Sequence, residues 1–422
     1  MNDQAHSDGL AAREAALFLL DAALARRSGL EEALGASVFS RLEPRDRAFA
    51  RALAMAALRH IGPIDKALDA RLAKEPPGRV RNILRIGAAQ AFWLDVPDFA
   101  AVSTSVEMAQ ADKGSRPFKG LVNAVLRKLI AQGPPAADPE ALAPGWLYAR
   151  WRSAYGEAAD DIARKIAEEP ATDITMKDPT AGPALEGEML PGGSFRVAQK
   201  GDITTWPGYG EGEWWVQDAA AAIPARLLEV KTGESVLDLC AAPGGKTLQL
   251  AAAGAHVTAL DRSAARLRRL KENLARTQLK AEVVVADAET WPDERTFDAV
   301  LLDAPCASTG TFRRNPDVLW ALRPGDIAKL AEVQSRLLDS AAKRVKPGGR
   351  LVYCVCSLEP EEGESQAAAF LRRHPDFRLE PVRPGEGGAP DASVTRDGYL
   401  RILPHHMSGG LDGFFAARLV RL

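Results

Sequence analysis

A chain of 422 residues is longer than one hydrophobic core usually covers, so two or three domains are expected. Apolar residues make up 46% and charged residues 26%, ordinary for a globular protein, and a net charge of -2 argues against a general polyanion binder, which would carry a basic excess. No apolar run approaches bilayer-spanning length, the piece from Ala15 to Ala25 being broken by Asp21, and the N-terminus lacks the charged-then-apolar build of a signal peptide.

Residues 11–129 carry Ala, Leu and Arg at three-and-four spacing and no convincing strand, which predicts an all-α domain over residues 1–138. Three of its stretches, Arg81-Asn82-Ile83-Leu84-Arg85-Ile86-Gly87, Leu94-Asp95-Val96-Pro97 and residues 120–129, read locally as amphipathic helices or their boundaries. Gly133-Pro134-Pro135-Ala136-Ala137-Asp138-Pro139 cannot continue a helix, so a linker and a boundary near Asp138 are expected. Residues 139–212 read as a small α+β connecting module, helical over 144–169 and then strand-like to Gly208.

From 213 to 422 strands alternate with helices at the spacing of βαβ units, which predicts an α/β domain with a parallel sheet. The expected strands cover 235–239, 256–260, 282–286, 299–303, 350–355 and 413–420, and Arg383-Pro384-Gly385-Glu386-Gly387-Gly388-Ala389-Pro390 reads as an exposed loop. Basic residues crowd three places: Arg262, Arg266, Arg268, Arg269 and Lys271; Lys113, Arg116 and Lys119; and Arg313-Arg314. Each reads as a solvated face.

Chemistry concentrates where the strands end. Strand 235–239 opens into Cys240-Ala241-Ala242-Pro243-Gly244-Gly245-Lys246-Thr247, which nearly spells a phosphate-binding P-loop but has Cys240 where the first glycine belongs, and it lacks the dinucleotide pattern G-x-G-x-x-G. It is either a tight strand-to-helix turn or a loop presenting backbone N–H groups to a ligand. Asp261 at the next exit is spaced to accept a ribose diol, and Asp287 at the one after suits an adenine amino group. A lone strand-end Asp is usually a helix cap, but glycine turn, Asp and Asp at three consecutive exits are better explained by a nucleoside-containing cofactor.

Two further exits carry Asp303-Ala304-Pro305-Cys306 and Tyr353-Cys354-Val355-Cys356-Ser357. A thiol at each suggests covalent chemistry, whereas Cys240 and Cys354 read as packing. Cys354 and Cys356 would face the same side of a regular strand unless the strand ends between them. Four cysteines, three at motif positions, predict no disulfide framework and a reducing cytoplasm, and with only 6 His there is little support for a metal site.

These residues together resemble the RNA (cytosine-5) methyltransferases of the Sun family. Asp238-Leu239-Cys240-Ala241-Ala242-Pro243-Gly244-Gly245-Lys246-Thr247 is similar to that family's cofactor loop, residues 303–308 to its first cysteine motif and residues 353–357 to its second. Val216-Gln217-Asp218-Ala219-Ala220, Arg313-Arg314-Asn315-Pro316-Asp317 and Asp412-Gly413-Phe414-Phe415 add to the match. Residues 81–87, Val96-Pro97 and 120–129 resemble the antitermination factor NusB, and the pairing is similar to bacterial 16S rRNA methyltransferases of the RsmB type. The chain departs from the pattern at Ala307, where serine is usual, and at Cys354-Val355, where Ala-Thr is usual.

The resemblance implies a NusB-like RNA-binding domain, a connecting module and a Rossmann-like class I methyltransferase domain. It further implies S-adenosylmethionine held by residues 240–246 with Asp261, Asp287 and Asp303, and 16S rRNA or a small-subunit assembly intermediate as partner. No membrane or metal partner is expected, and a monomer is. Cys356 would attack C6 of cytosine, Cys306 would assist release, and Asp303 would hydrogen-bond the N3/N4 edge. Lys246 would contact the nucleotide or support the thiolate. A thiol near its free pKa of ~8.5 is mostly protonated at neutral pH, so the site must lower that value or deprotonate on attack, and the base must be unpaired or flipped out. The rivals are a DNA cytosine-5 methyltransferase attacking through Cys306 and a non-catalytic RNA-binding factor.

Overall fold

The computed structural model describes residues 2–26 and 29–422. The chain divides into two compact units, one of residues 1–168 with 312–322, the other of residues 169–311 with 323–422.

The first unit is helical. In the helix Val80–Trp93, Val80, Ile83, Leu84 and Gly87 are buried, the three-and-four spacing that puts one stripe inward. They join a core with Leu17 and Leu20 of Asn2–Ala25, Leu53 and Leu58 of Pro44–Arg59, and Val122 and Leu126 of Lys119–Ile130. At Gly87 a Cβ would stand 2.6 Å from both Leu126 Cδ1 and Ser105 Oγ, so this glycine lets neighbouring helices approach closely.

Residues 312–322 leave the α/β chain to join this unit. Phe312 and Arg313 are buried, the Phe312 ring lies 5.8 Å from that of Trp151, and Arg59 Nη2 donates to the Arg313 carbonyl at 2.7 Å. The expected solvated Arg313-Arg314 patch is therefore corrected at Arg313, whose charge is enclosed.

The second unit holds two sheets. The smaller contains β1 (Thr172–Met176), β2 (Gly187–Met189), β3 (Ser194–Val197) and β4 (Trp214–Val216) in the antiparallel order β2-β3-β1-β4. Boundaries at Asp138 and Gly212 do not coincide with the compact units. The proline-rich linker is followed by Pro139–Leu142, which packs back on Ile61–Asp69, and β4 pairs with β1 across the second expected break.

The larger sheet contains β5 (Ser235–Leu239), β6 (His256–Asp261), β7 (Glu282–Val285), β8 (Phe297–Asp303), β9 (Val345–Val355), β10 (Phe377–Leu379), β11 (Leu400–Ile402) and β12 (Phe414–Arg421). Its order is β10-β12-β9-β8-β5-β6-β7, with β11 on β12. Strands β5 to β9 are parallel, and β12 runs antiparallel beside β9. Helices cover the parallel strands, so these read as continuous apolar runs, as in Val300, Leu301 and Leu302. Strand order reverses at β5, which opens a crevice between the tips of β5 and β8, where ligands bind in open α/β sheets. Residues 383–390 are less exposed than expected, since Gly388 and Ala389 are buried and a Cβ on Gly388 would stand 2.3 Å from the Pro191 carbonyl oxygen.

Candidate active site

The site lies at the carboxyl ends of five strands and divides at the crevice. On the β5 side, Cys240 turns the chain at φ 61° and Gly244 at φ 111°, immediately before the helix Gly245–Ala252. A Cβ on Gly244 would meet Leu270 Cδ1 at 2.3 Å, so only glycine lets this loop lie against the helix Ala264–Thr277. Ala241 N donates to the Leu260 carbonyl at 3.0 Å, Ala242 N to Asp261 Oδ2 at 3.2 Å and Ser263 N to Asp261 Oδ1 at 2.8 Å. Each Asp261 oxygen retains a lone pair beyond the bond it accepts. Asp287 is exposed and receives Glu289 N at 2.9 Å, a turn contact that leaves its second oxygen free of that bond. The first-turn N–H groups of Gly245–Ala252, which starts directly after this loop, have no acceptor within the helix.

Asp238 sits beneath this loop. Its Oδ2 accepts the Thr247 hydroxyl at 2.5 Å, while Oδ1 is buried with no protein partner. Burial pushes the Asp238 carboxyl up to about 7, the Thr247 bond opposing and the nearby Asp303 adding to it. Burial likewise raises the Cys240 thiol, helped by Asp261, Asp303 and Asp238, so this sulfur keeps its proton.

On the other side, β8 and β9 are adjacent and parallel with Asp303 opposite Cys354. Strand β9 ends at Val355, so the two cysteines around that residue part company. Cys354 Sγ is 3.6 Å from Asp303 Oδ1, and Cys356 Sγ is 3.5 Å from Cys306 Sγ. Cys356 is partly exposed and Cys306 buried. The hydrogen bond with Cys356 raises the Cys306 thiol well above its ordinary range, with burial and the Glu362 carboxylate adding. Held protonated, Cys306 has a proton to share in the S···S contact, in which either sulfur can be the donor. Cys354 is fully buried in the apolar core, as the packing expectation has it, and also contacts Asp303; burial and that carboxylate keep this thiol protonated too.

Lys246 bridges the two sides. Its Nζ lies 2.8 Å from Asp303 Oδ2 and 4.9 Å from the centre of the Phe414 ring. Burial disfavours the ammonium, but Asp303, with Cys354 and Cys356, outweighs it and holds Lys246 above its usual value. The structure thus brings together Cys306, Cys356, Asp303 and Lys246, with residues 240–245 and Asp261 across the crevice, and leaves Asp287 at its outer edge.

Sequence reasoning missed the residues that hold the thiol loops. Glu362 is completely buried and accepts bonds from Ala307 N at 2.9 Å, Gln334 Nε2 at 3.0 Å and Ser357 Oγ at 2.5 Å. Burial pushes its carboxyl up to about 6, against those donors. In the sequence Glu359-Pro360-Glu361-Glu362-Gly363 looks like a solvated acidic turn, and no local pattern shows that Glu359 and Glu362 are buried while Glu361 is exposed.

A doubly wound sheet with a glycine-turn loop at its switch point and acids at the neighbouring strand ends defines a class I methyltransferase. The 16S rRNA methyltransferase RsmB/F model matches residues 225–420, and the NusB family model matches residues 10–131. Ribosomal RNA small subunit methyltransferase B of Serratia proteamaculans is 35% identical over 407 residues, covering 90% of this chain and 92% of that protein, and its namesake in Sodalis glossinidius is 36% identical over 90% and 91%. Among solved structures, PH0851 aligns with a TM-score of 0.78 at 27% identity over 98% of both chains. A methyltransferase homolog protein from Pyrococcus horikoshii aligns with a TM-score of 0.57 at 27% identity, over 66% of this chain and 95% of that one. The chain belongs to the 16S rRNA methyltransferase RsmB/F family. It is an S-adenosylmethionine-dependent rRNA methyltransferase with a helical NusB domain ahead of the catalytic one.

The residues present fit that cofactor. Asp238, Asp261 and Asp303 gather carboxylates at three strand ends, and Asp238 Oδ1 has no protein donor, a surplus suited to a ligand bearing a sulfonium and an ammonium. Among the described residues no helix is long and apolar enough to cross a membrane, and no cluster of three or more His, Cys, Asp or Glu is placed to hold a metal.

Proposed function

We propose that the protein methylates C5 of a cytosine in 16S rRNA, on free RNA or a small-subunit assembly intermediate, through a covalent bond between Cys356 and C6. The observation that carries this reading is the pair of sulfurs 3.5 Å apart at the tips of adjacent strands, with the Asp303–Lys246 pair beside them.

C5 of cytosine is too weak a nucleophile to accept a methyl group unaided. Cys356 sulfur, having lost its proton, bonds to C6 and drives the ring electrons toward C5. Asp303 receives the exocyclic amino N–H, and the Lys246 ammonium offsets the negative charge delivered to the ring. S-adenosylmethionine, when bound by residues 240–246 with Asp261, Asp287 and Asp303, supplies the methyl group as an electrophile. Loss of the C5 proton to water then restores the C5–C6 double bond as the S–C6 bond breaks, and the departing Cys356 sulfur takes the proton of the Cys306 thiol 3.5 Å away, which solvent replaces. The base reaches the sulfur only when flipped out of its stack.

The helical unit, matched by the NusB model, supports RNA docking. A cytoplasmic monomer is the form we propose. Trapping tests the assignment: Cys356→Ala abolishes protein–RNA adducts on denaturing gels, whereas Cys306→Ala lets them accumulate. The reverse pattern would transfer the attack to Cys306, as in the DNA enzymes. Bisulfite sequencing of rRNA from a deletion strain locates the cytosine.

A further inference from the structure

Glu362 stands outside the reaction as described, yet no side chain near the thiols is tied to more of their surroundings. Oε1 accepts from Ala307 N at 2.9 Å and Gln334 Nε2 at 3.0 Å, and Oε2 from Ser357 Oγ at 2.5 Å and Ala307 N at 3.1 Å. The same Gln334 amide donates to the Pro305 carbonyl at 3.0 Å. Ala307 and Ser357, the residues after the two cysteines, therefore meet on one carboxylate, and Pro305, before Cys306, is tied to it through Gln334. The backbone beneath it is fixed as well, because Tyr353 Oη donates to the Glu362 carbonyl at 2.5 Å and Arg401 Nη1 to the Ser357 carbonyl at 2.5 Å.

Among the described residues no cation lies within ion-pair distance of Glu362, so the charge is held by neutral donors alone. Burying a carboxylate this way is costly. A purely mechanical tie could be made by an amide, but an amide presents one oxygen and two N–H groups, and here every neighbour is a donor. Only an ionised carboxylate accepts from all three at once.

We propose that Glu362 is a positioning residue of methyl transfer, its carboxylate bolting the Cys306 loop to the Cys356 loop and so setting the distance between the two sulfurs. The proposal rests on the reading that both sulfurs act. Loosening the bolt moves the attacking sulfur relative to the base, and a displacement near 1 Å costs roughly 100-fold in rate.

The test compares the full-length wild type with Glu362→Gln, which is isosteric but places an N–H against a donor. In Glu362→Gln, kcat is expected to fall about 10- to 100-fold, while KM for 16S rRNA and the calorimetric Kd for S-adenosylmethionine stay within about twofold, since the cofactor loop is untouched. A second readout needs neither RNA nor cofactor. Diamide oxidises two adjacent thiols to a disulfide and is itself reduced to the hydrazine, so the rate at which Cys306 and Cys356 become linked, mapped by mass spectrometry, reports their spacing. That rate is expected to change at least about fivefold in Glu362→Gln. Should this variant fail to fold, Gln334→Leu, which removes one donor and leaves the carboxylate, gives the same pattern at smaller amplitude. Unchanged kcat, or reduced kcat with unchanged thiol linking, overturns the proposal. Retained activity in Cys356→Ala would instead overturn the covalent reading and leave the linking result standing.

Discussion

The two sides of the crevice are built by different means. The β5 side is made of consecutive residues: one loop, 240–246, supplies the turn, the N–H groups and the lysine, and the neighbouring strand end supplies Asp261. The β8–β9 side is assembled from distant pieces, with Cys306 and Cys356 50 residues apart and fixed by Gln334, Glu362 and Arg401. A cofactor recognised mainly by backbone needs a short loop of fixed shape. Two sulfurs that must meet one ring from separate loops need an internal brace, and the brace has to be polar because loop backbones have N–H and C=O groups to satisfy.

Removing the attacking sulfur separates the two sides most sharply. Cys356→Ala is expected to lower turnover by on the order of 10⁴-fold or more, with the S-adenosylmethionine Kd measured by calorimetry unchanged within about twofold. If cofactor affinity falls with it, the sides are not independent.

The residue shared by both sides comes next. Lys246→Met leaves Asp303 without its cation, and since the Asp303 side chain is 31% exposed, water recovers part of that loss. A fall in kcat of about 100-fold is expected, with cofactor affinity weakened by less than about tenfold. Equal losses in both would place Lys246 wholly with the cofactor.

The same contrast explains what the sequence disclosed. The six expected strands of the larger sheet are present within a few residues, because most of them are buried apolar runs closed by turn residues, parallel in β5, β6, β8 and β9 and antiparallel in β12. Cysteines 306 and 356 were legible because each follows such a run. Strands β10 and β11, three residues each, carry no period long enough to read. The burial of Glu362 and Arg313 is set by residues far along the chain, and their flanking charges argue for solvent. The linker at residues 133–139 is a real interruption of the helix, but composition does not say that the next helix packs back onto the same unit.

Gly244→Ala tests whether the β5 side depends on the shape of its loop rather than on any side chain. A methyl group there meets Leu270, in a backbone conformation L-residues rarely adopt, at a cost of about 1–3 kcal/mol. The expected result is an S-adenosylmethionine Kd raised about tenfold, equivalent to about 1.4 kcal/mol, with diamide linking of Cys306 and Cys356 unaltered. A change in thiol linking would join the two sides through this loop.

The smallest effect concerns Asp238, under the loop, whose carboxyl lies at about 7 because of burial. A folded-state value above that of the unfolded chain means the native protein binds the proton more tightly. The stabilisation is therefore fully present below about pH 4 and is lost as pH rises toward about 7. Asn at this position has no charge to bury, so Asp238→Asn removes that loss. Relative to wild type it is expected to gain stability between pH 5 and pH 8, seen as a difference in thermal midpoint of a few degrees that grows with pH. The Thr247 hydroxyl keeps an acceptor in the side-chain oxygen of Asn, so the loop geometry is retained. Parallel pH responses of the two proteins would mean that Asp238 is already ionised in the fold, with its Oδ1 satisfied by water, and the β5 side would then hold its charge as cheaply as a surface does.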